Sequence, residues 1–134
     1  MKGTHITTSG REEELFRRST EKPTTYSPPE RGLFIIPTSQ ADYLLSGRFD
    51  RSQIEMALGL EENSLQSGNL IRIDVPNPFD HNPRMPDPAT GNQYHGPNTG
   101  LTPAGFNESV IDAIPRNNLN IEVNNLGDIL RNKN

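Results

Sequence analysis

Arg17 and Arg18 stand side by side, Thr38 and Ser39 follow an apolar run, and Glu108 closes a loop punctuated by Gly100 and Gly105. Each residue type has a chemistry. Guanidinium groups grip phosphate oxygens bidentately. A fixed carboxylate stabilises positive charge developing on a sugar carbon. Phe34 and Tyr43 offer ring faces for stacking. Tyr94 and His95 lie together in a Pro-rich stretch, where a histidine near its ordinary pKa can move protons at neutral pH. With His81, Arg84 and Glu108 they would make an acid–base set with an arginine to steady a phosphate.

Other chemistries are set aside by what is missing. The chain has no cysteine, which removes disulfides, thiolate zinc sites and cysteine nucleophiles. It has no Gly-rich phosphate loop, no dinucleotide fingerprint and no serine in a nucleophile elbow. His5, His81 and His95 are not spaced as helical metal-ligand pairs, so no metal is expected. The net charge of −4 provides no global basic field for nucleic acid, although Arg17, Arg18, Arg31 and Arg48 could form a local patch. No apolar run approaches the ~18 residues of a membrane span. The first residues, with Glu12, Glu13 and Glu14, are too polar for a secretory signal. The expectation is a chain made in the cytosol or cut from a larger exported protein.

These residues need elements to position them. A length of 134 residues fits one domain, and 31% hydrophobic residues without tryptophan predict a thin core. Twelve prolines and eleven glycines predict much turn and loop. Residues 1–14 read as a flexible lead-in to a single α+β domain over 15–134. Leu15–Thr20 reads as a first strand, Lys22–Glu30 as a loop, and Leu33–Ile36 as a buried strand closed by Pro37. A helix capped by Thr38 or Ser39 runs to Gly47. Asp50 with Gln53 in capping-box spacing starts a second helix, which Gly59 stops. Asn69–Val75 alternates as a strand with one wet face. Residues 76–105 form one long loop, expected to pack over a cleft. A helix is expected over Phe106–Ile114, a strand over Leu119–Val123 and a terminal helix over Asn125–Arg131. The predicted architecture is a small bent antiparallel or mixed sheet with two or three short helices.

The order of these segments resembles the C-terminal toxin domains of bacterial polymorphic toxins of the contact-dependent inhibition and Rhs type, most of all their ADP-ribosyltransferase-like group. The resemblance spans roughly Leu15 to Val123. It rests on Leu15-Phe16-Arg17-Arg18-Ser19, on Gly32 to Leu44, on Leu70 to Pro76 and on Asn98 to Glu108. It implies a secreted antibacterial module acting on NAD in the target cell cytoplasm, by ADP-ribosyl transfer or NAD glycohydrolysis. Glu108 would be the catalytic carboxylate, with Arg17 or Arg18, Thr38 or Ser39, and Phe34 or Tyr43 binding NAD. A cognate immunity protein and a protein or RNA target would be its partners. Phe106 departs from the group, many of whose members carry Gln or Glu two residues before the catalytic Glu.

Each residue also has an ordinary role. Thr38 and Ser39 suit a helix cap, Phe34 suits the core, and Glu108 suits the first turn of a helix. Two other functions stay open: a metal-independent RNase toxin built on His95, and a non-enzymatic binding or immunity protein.

Overall fold

A computed structural model describes residues 2–85 and 108–127. Its first strand, β1 (Gly3–Thr8), lies where the lead-in was expected. The segment Gly-Thr-His-Ile-Thr-Thr is polar by composition, but Thr and Ile are β-branched and favour a pleated strand. All six residues are buried. Thr8 then caps α1 (Ser9–Arg17), its side chain accepting from the Arg11 backbone N–H at 3.0 Å. This helix replaces the strand expected at Leu15–Thr20. The run Arg-Glu-Glu-Glu-Leu-Phe-Arg consists largely of good helix formers, and Glu13–Arg17 and Glu14–Arg18 pair at i,i+4.

The chain continues through β2 (Thr25–Tyr26), β3 (Leu33–Pro37), α2 (Thr38–Leu44), α3 (Arg51–Ala57) and β4 (Leu70–Val75). After a 3-10 turn at Pro78–His81 come β5 (Ser109–Ile111), β6 (Ile114–Pro115) and β7 (Glu122–Gly127). The fold is α+β. A five-stranded sheet has the order β5-β3-β1-β4-β7 with all neighbours antiparallel, and β2 and β6 form a separate two-stranded ribbon.

Strand alternation splits the core between two sheet faces. Ile6, Ile36 and Leu70 pack against Ala41 and Leu44 of α2 and Ile54 and Ala57 of α3. Leu33, Ile35, Ile73, Val75 and Ile111 form the other core with Ile114 of the ribbon. On β4 the polar residues are not simply wet. Arg72 and Asp74 are half-buried, paired at 3.1 Å, and Arg72 reaches Asp42 of α2 at 2.6 Å.

The capping box on α3 forms as expected, with Asp50 and Gln53 satisfying each other's backbone N–H at 2.8 and 2.9 Å. Thr38, by contrast, is the first residue of α2 and caps nothing: Pro37 holds the N-cap position, and the Thr38 hydroxyl hydrogen-bonds Thr4 at 2.9 Å. The helix expected over Phe106–Ile114 is replaced over its described residues by β5 and the start of β6. Val110 and Ile111 are β-branched, and pairing with β3 outweighs a segment too short to hold a helix alone. The last strand begins at Glu122 and runs to Gly127, so it covers only the end of the expected Leu119–Val123 and takes in 125–127, expected as helix. Residues 86–105 and 128–131 lie outside the described residues. No helix among the described residues is long and apolar enough to cross a membrane.

Candidate functional site

β1 pairs with β4 along its whole length but with β3 only at Gly3 and Thr4. Past Thr4 the two strands separate, and the gap is where the charged residues collect. His5 fills its mouth: the imidazole Nδ1–H donates to the Phe34 carbonyl at 2.6 Å, taking the place of a ladder bond. Beyond it lies a cavity of about 30 Å³. Arg11 from the first turn of α1, Arg31, Phe34 of β3 and Glu108 beside β5 line it together with His5.

Local structure explains how these side chains arrive. Glu12, buried next to Arg11, accepts from the Ser27 backbone N–H at 2.6 Å and from the Thr7 hydroxyl at 3.3 Å. That anchor holds Ser27 in the left-handed region, φ 63°, and starts the turn that leads to Arg31. Gly32 follows with φ +75°; a Cβ there would stand 2.8 Å from Val110 Cγ1 and 2.9 Å from the Ile111 carbonyl. Only glycine lets β3 approach β5 this closely. β5 pairs Ser109 with Ile35, which sets Glu108 at the edge of the gap. The Arg31 guanidinium lies 5.5 Å from the centre of the Phe34 ring.

Burial governs the electrostatics. The Glu108 carboxyl is pushed up to about 8 by loss of solvent, against the opposing pull of Arg31 and Arg11. Arg11 is pushed down to about 10 by burial and then by the charge of Arg31. Arg31 is lowered for the same first reason. His5 is lowered by burial, although Glu12 and the Phe34 carbonyl pull the other way. At neutral pH the site therefore holds two guanidinium charges, an uncharged imidazole and a largely protonated carboxyl. Because the carbonyl can only accept, the proton of His5 sits on Nδ1. Nε2 is then a bare lone pair, buried and without a hydrogen-bond partner among the described residues. Neither Arg11 nor Arg31 forms an ion pair among the described residues. Such a set can hold an anion, move a proton, and stabilise a cation once Glu108 ionises.

Two residues singled out by sequence, Glu108 and Phe34, meet in this cavity. Of the other candidates, those among the described residues do not line it. Arg17 and Arg18 lie exposed on α1, paired with Glu13 and Glu14, and line a separate groove. Thr38 touches Thr4, a cavity residue whose hydroxyl also donates to Asp74, and sits at the start of α2. Ser39 is exposed on α2. Tyr43 is exposed and packs edge-on against Phe49, with ring centres 5.1 Å apart. In the acid–base set, Arg84 binds Asp112 at 3.0 Å and bridges its backbone to Val110, and His81 belongs to the 3-10 turn. Tyr94 and His95 lie outside the described residues. Among the described residues no cluster of three or more His, Asp or Glu is placed to hold a metal.

The order of motifs does not point to His5 or Arg11, which complete the site with Arg31. Their signals are faint. His5 is visible as the one imidazole in a Thr-rich alternating run, and Arg11 as the residue three after a capping threonine. Comparison of the chain with family models, curated proteins and solved structures finds no match.

Proposed function

We propose that the domain acts on NAD, breaking the bond between nicotinamide and ribose with Glu108 as the catalytic carboxylate. The observation that carries this reading is the meeting of Glu108 and Phe34 with Arg11 and Arg31 in the gap between β1 and β3, neither arginine holding an ion pair among the described residues. NAD carries two phosphate charges and one pyridinium charge. Two guanidinium groups and one carboxylate complement that pattern. Arg11 and Arg31 replace Arg17 and Arg18 as the pyrophosphate ligands. Phe34 supplies the ring beside the reacting end. As the glycosidic bond lengthens, positive charge grows on the ribose, and ionised Glu108 stabilises it in a site with little competing water. The Nε2 lone pair of His5 accepts a hydrogen bond from a ribose hydroxyl and fixes the sugar. The domain would then be a toxin module requiring a dedicated immunity partner.

A second reading, RNA cleavage, is favoured by the His5 lone pair and the Glu108 carboxyl lining one cavity with two arginines. His5 would take the 2′-hydroxyl proton, Glu108 would protonate the leaving oxygen, and the arginines would steady the phosphate. The two readings predict opposite pH behaviour. NAD chemistry needs the carboxylate, so kcat/KM should rise as pH climbs through about 8. RNA cleavage with Glu108 as the acid should fall over the same range. Glu108→Gln should reduce NAD turnover by about a hundredfold or more in a folded protein, since such a charge is worth on the order of 3–4 kcal/mol. NAD consumption and RNA cleavage, measured from pH 6 to 9 (a range of about three units around the Glu108 value), decide between them. A folded Glu108→Gln protein that consumes NAD at the parental rate would sink the assignment.

A further inference from the structure

A second space adjoins the cavity. Arg11 and Leu15, one turn apart on α1, line both the cavity and a groove of about 300 Å³ between α1 and residues 61–67. We propose that this groove is a nucleoside subsite of the same site, so that the ligand meeting Glu108 is a dinucleotide whose distal half lies along α1. The proposal rests on the NAD reading above.

Size is the first argument. A cavity of about 30 Å³ takes only a small group, so most of any ligand that reaches Glu108 must lie outside it. The groove is a space that shares its wall, and its volume is at the lower end of the range for small-molecule pockets.

Rigidity is the second. Ser9 ties the start of α1 to Asn69 in both directions, at 3.0 Å backbone to backbone and 2.9 Å through its hydroxyl. The opposite wall hangs on Glu55. This buried carboxylate accepts two bonds from Arg51 at 2.8 and 2.9 Å, then the backbone N–H of Asn63 at 3.0 Å and of Leu65 at 2.8 Å. Both walls are therefore preorganised, which lowers the entropy lost on binding.

Chemistry is the third. The charges of Arg17 and Arg18 are already met by Glu13 and Glu14, so the groove does not ask for a second phosphate. It offers the carboxylates of Glu61 and Glu62, with Ser64 and Ser67 beside them. Those groups suit ribose hydroxyls, and Leu15 suits the face of a base. Arg11 lines both spaces, where the pyrophosphate would cross from groove to cavity, and Arg31 lines the cavity end; neither holds an ion pair among the described residues.

The test uses the whole chain with ADP-ribose and inorganic pyrophosphate as probes, read by amide NMR shifts and by calorimetry. ADP-ribose should shift Glu14, Ser64 and Ser67, which line the groove alone, together with Gly32 and Phe34, whereas pyrophosphate should shift the cavity residues alone. Glu62 is exposed and lines the groove, so Glu62→Trp should fill the groove without unfolding the chain. It should weaken ADP-ribose by tenfold or more and leave pyrophosphate binding unchanged. ADP-ribose that shifts only cavity residues, fails to bind, or binds the variant as it binds the parent overturns the subsite. If groove shifts persist while Glu108→Gln leaves NAD consumption unaffected, the subsite stands and the catalytic reading falls.

Discussion

Glu108 keeps its proton to about pH 8 in the folded chain, whereas an ordinary glutamate in the unfolded chain releases it near 4.5. The unfolded state therefore binds fewer protons over that interval, and folding loses stability as pH rises, by up to about 1.4 kcal/mol per unit. His5 works in the other direction. Its folded pKa lies below 6.5, so its contribution is lost as pH falls from 6.5. The cleanest window is about pH 7.5 to 8.5, where the unfolded imidazole has already lost its proton and of these two groups mainly Glu108 changes. Urea unfolding of the parent should show stability declining across it, while Glu108→Gln should be more stable than the parent at pH 8 and nearly flat. A parental stability that rises with pH there would mean the carboxyl is not held protonated. A buried carboxyl that costs folding stability is the pattern expected of a functional group.

Among the elements, the segment from Asn63 to Leu65 depends on one side chain of α3. Glu55→Ala would take the carboxylate away from the buried Arg51 and from two backbone N–H groups, and should cost about 3–5 kcal/mol. Its signature is fast hydrogen exchange at Asn63 and Leu65 before global unfolding. Gly32→Ala should also destabilise, because both the left-handed φ and the 2.8 Å approach to Val110 exclude a side chain. A Gly32→Ala protein that melts with the parent would refute that account. How much of this could be read in advance depended on range. The box of Asp50 and Gln53 and the apolar run before Pro37 are local signals, and both elements formed. β1 and β5 are not local. Thr7 and Thr8 look like loop residues until their partners on β4 are known, and Val110 fits a helix until β3 lies beside it. The candidate site was half legible for the same reason. Glu108 and Phe34 lie in recognisable motifs, whereas His5 and Arg11 become chemical only once β1 parts from β3.

On the scale of the molecule, β1, β3 and β4 run between the two cores, and β3 and β4 contribute side chains to both. Neither layer can melt without exposing the other, so unfolding should be a single cooperative event. Leu44→Ala on the helix side and Ile73→Ala on the ribbon side, each almost fully buried in the parent, should each cost about 2–5 kcal/mol and shift the same transition. Two resolved transitions would show that the layers are separate units.

The strand order β5-β3-β1-β4-β7 also carries a timetable. The centre of the sheet comes from the beginning of the chain and both edges come from its end. During synthesis, β3, β1 and β4 can assemble before β5 has left the ribosome, and the edges then dock onto a finished centre. Glu108 arrives with β5, late and across a long sequence separation, which makes its docking one of the slower contacts to form. Competence at the site thus comes at the end of folding. A nascent chain would have its arginines and histidine in place while still lacking the carboxyl that the proposed chemistry requires.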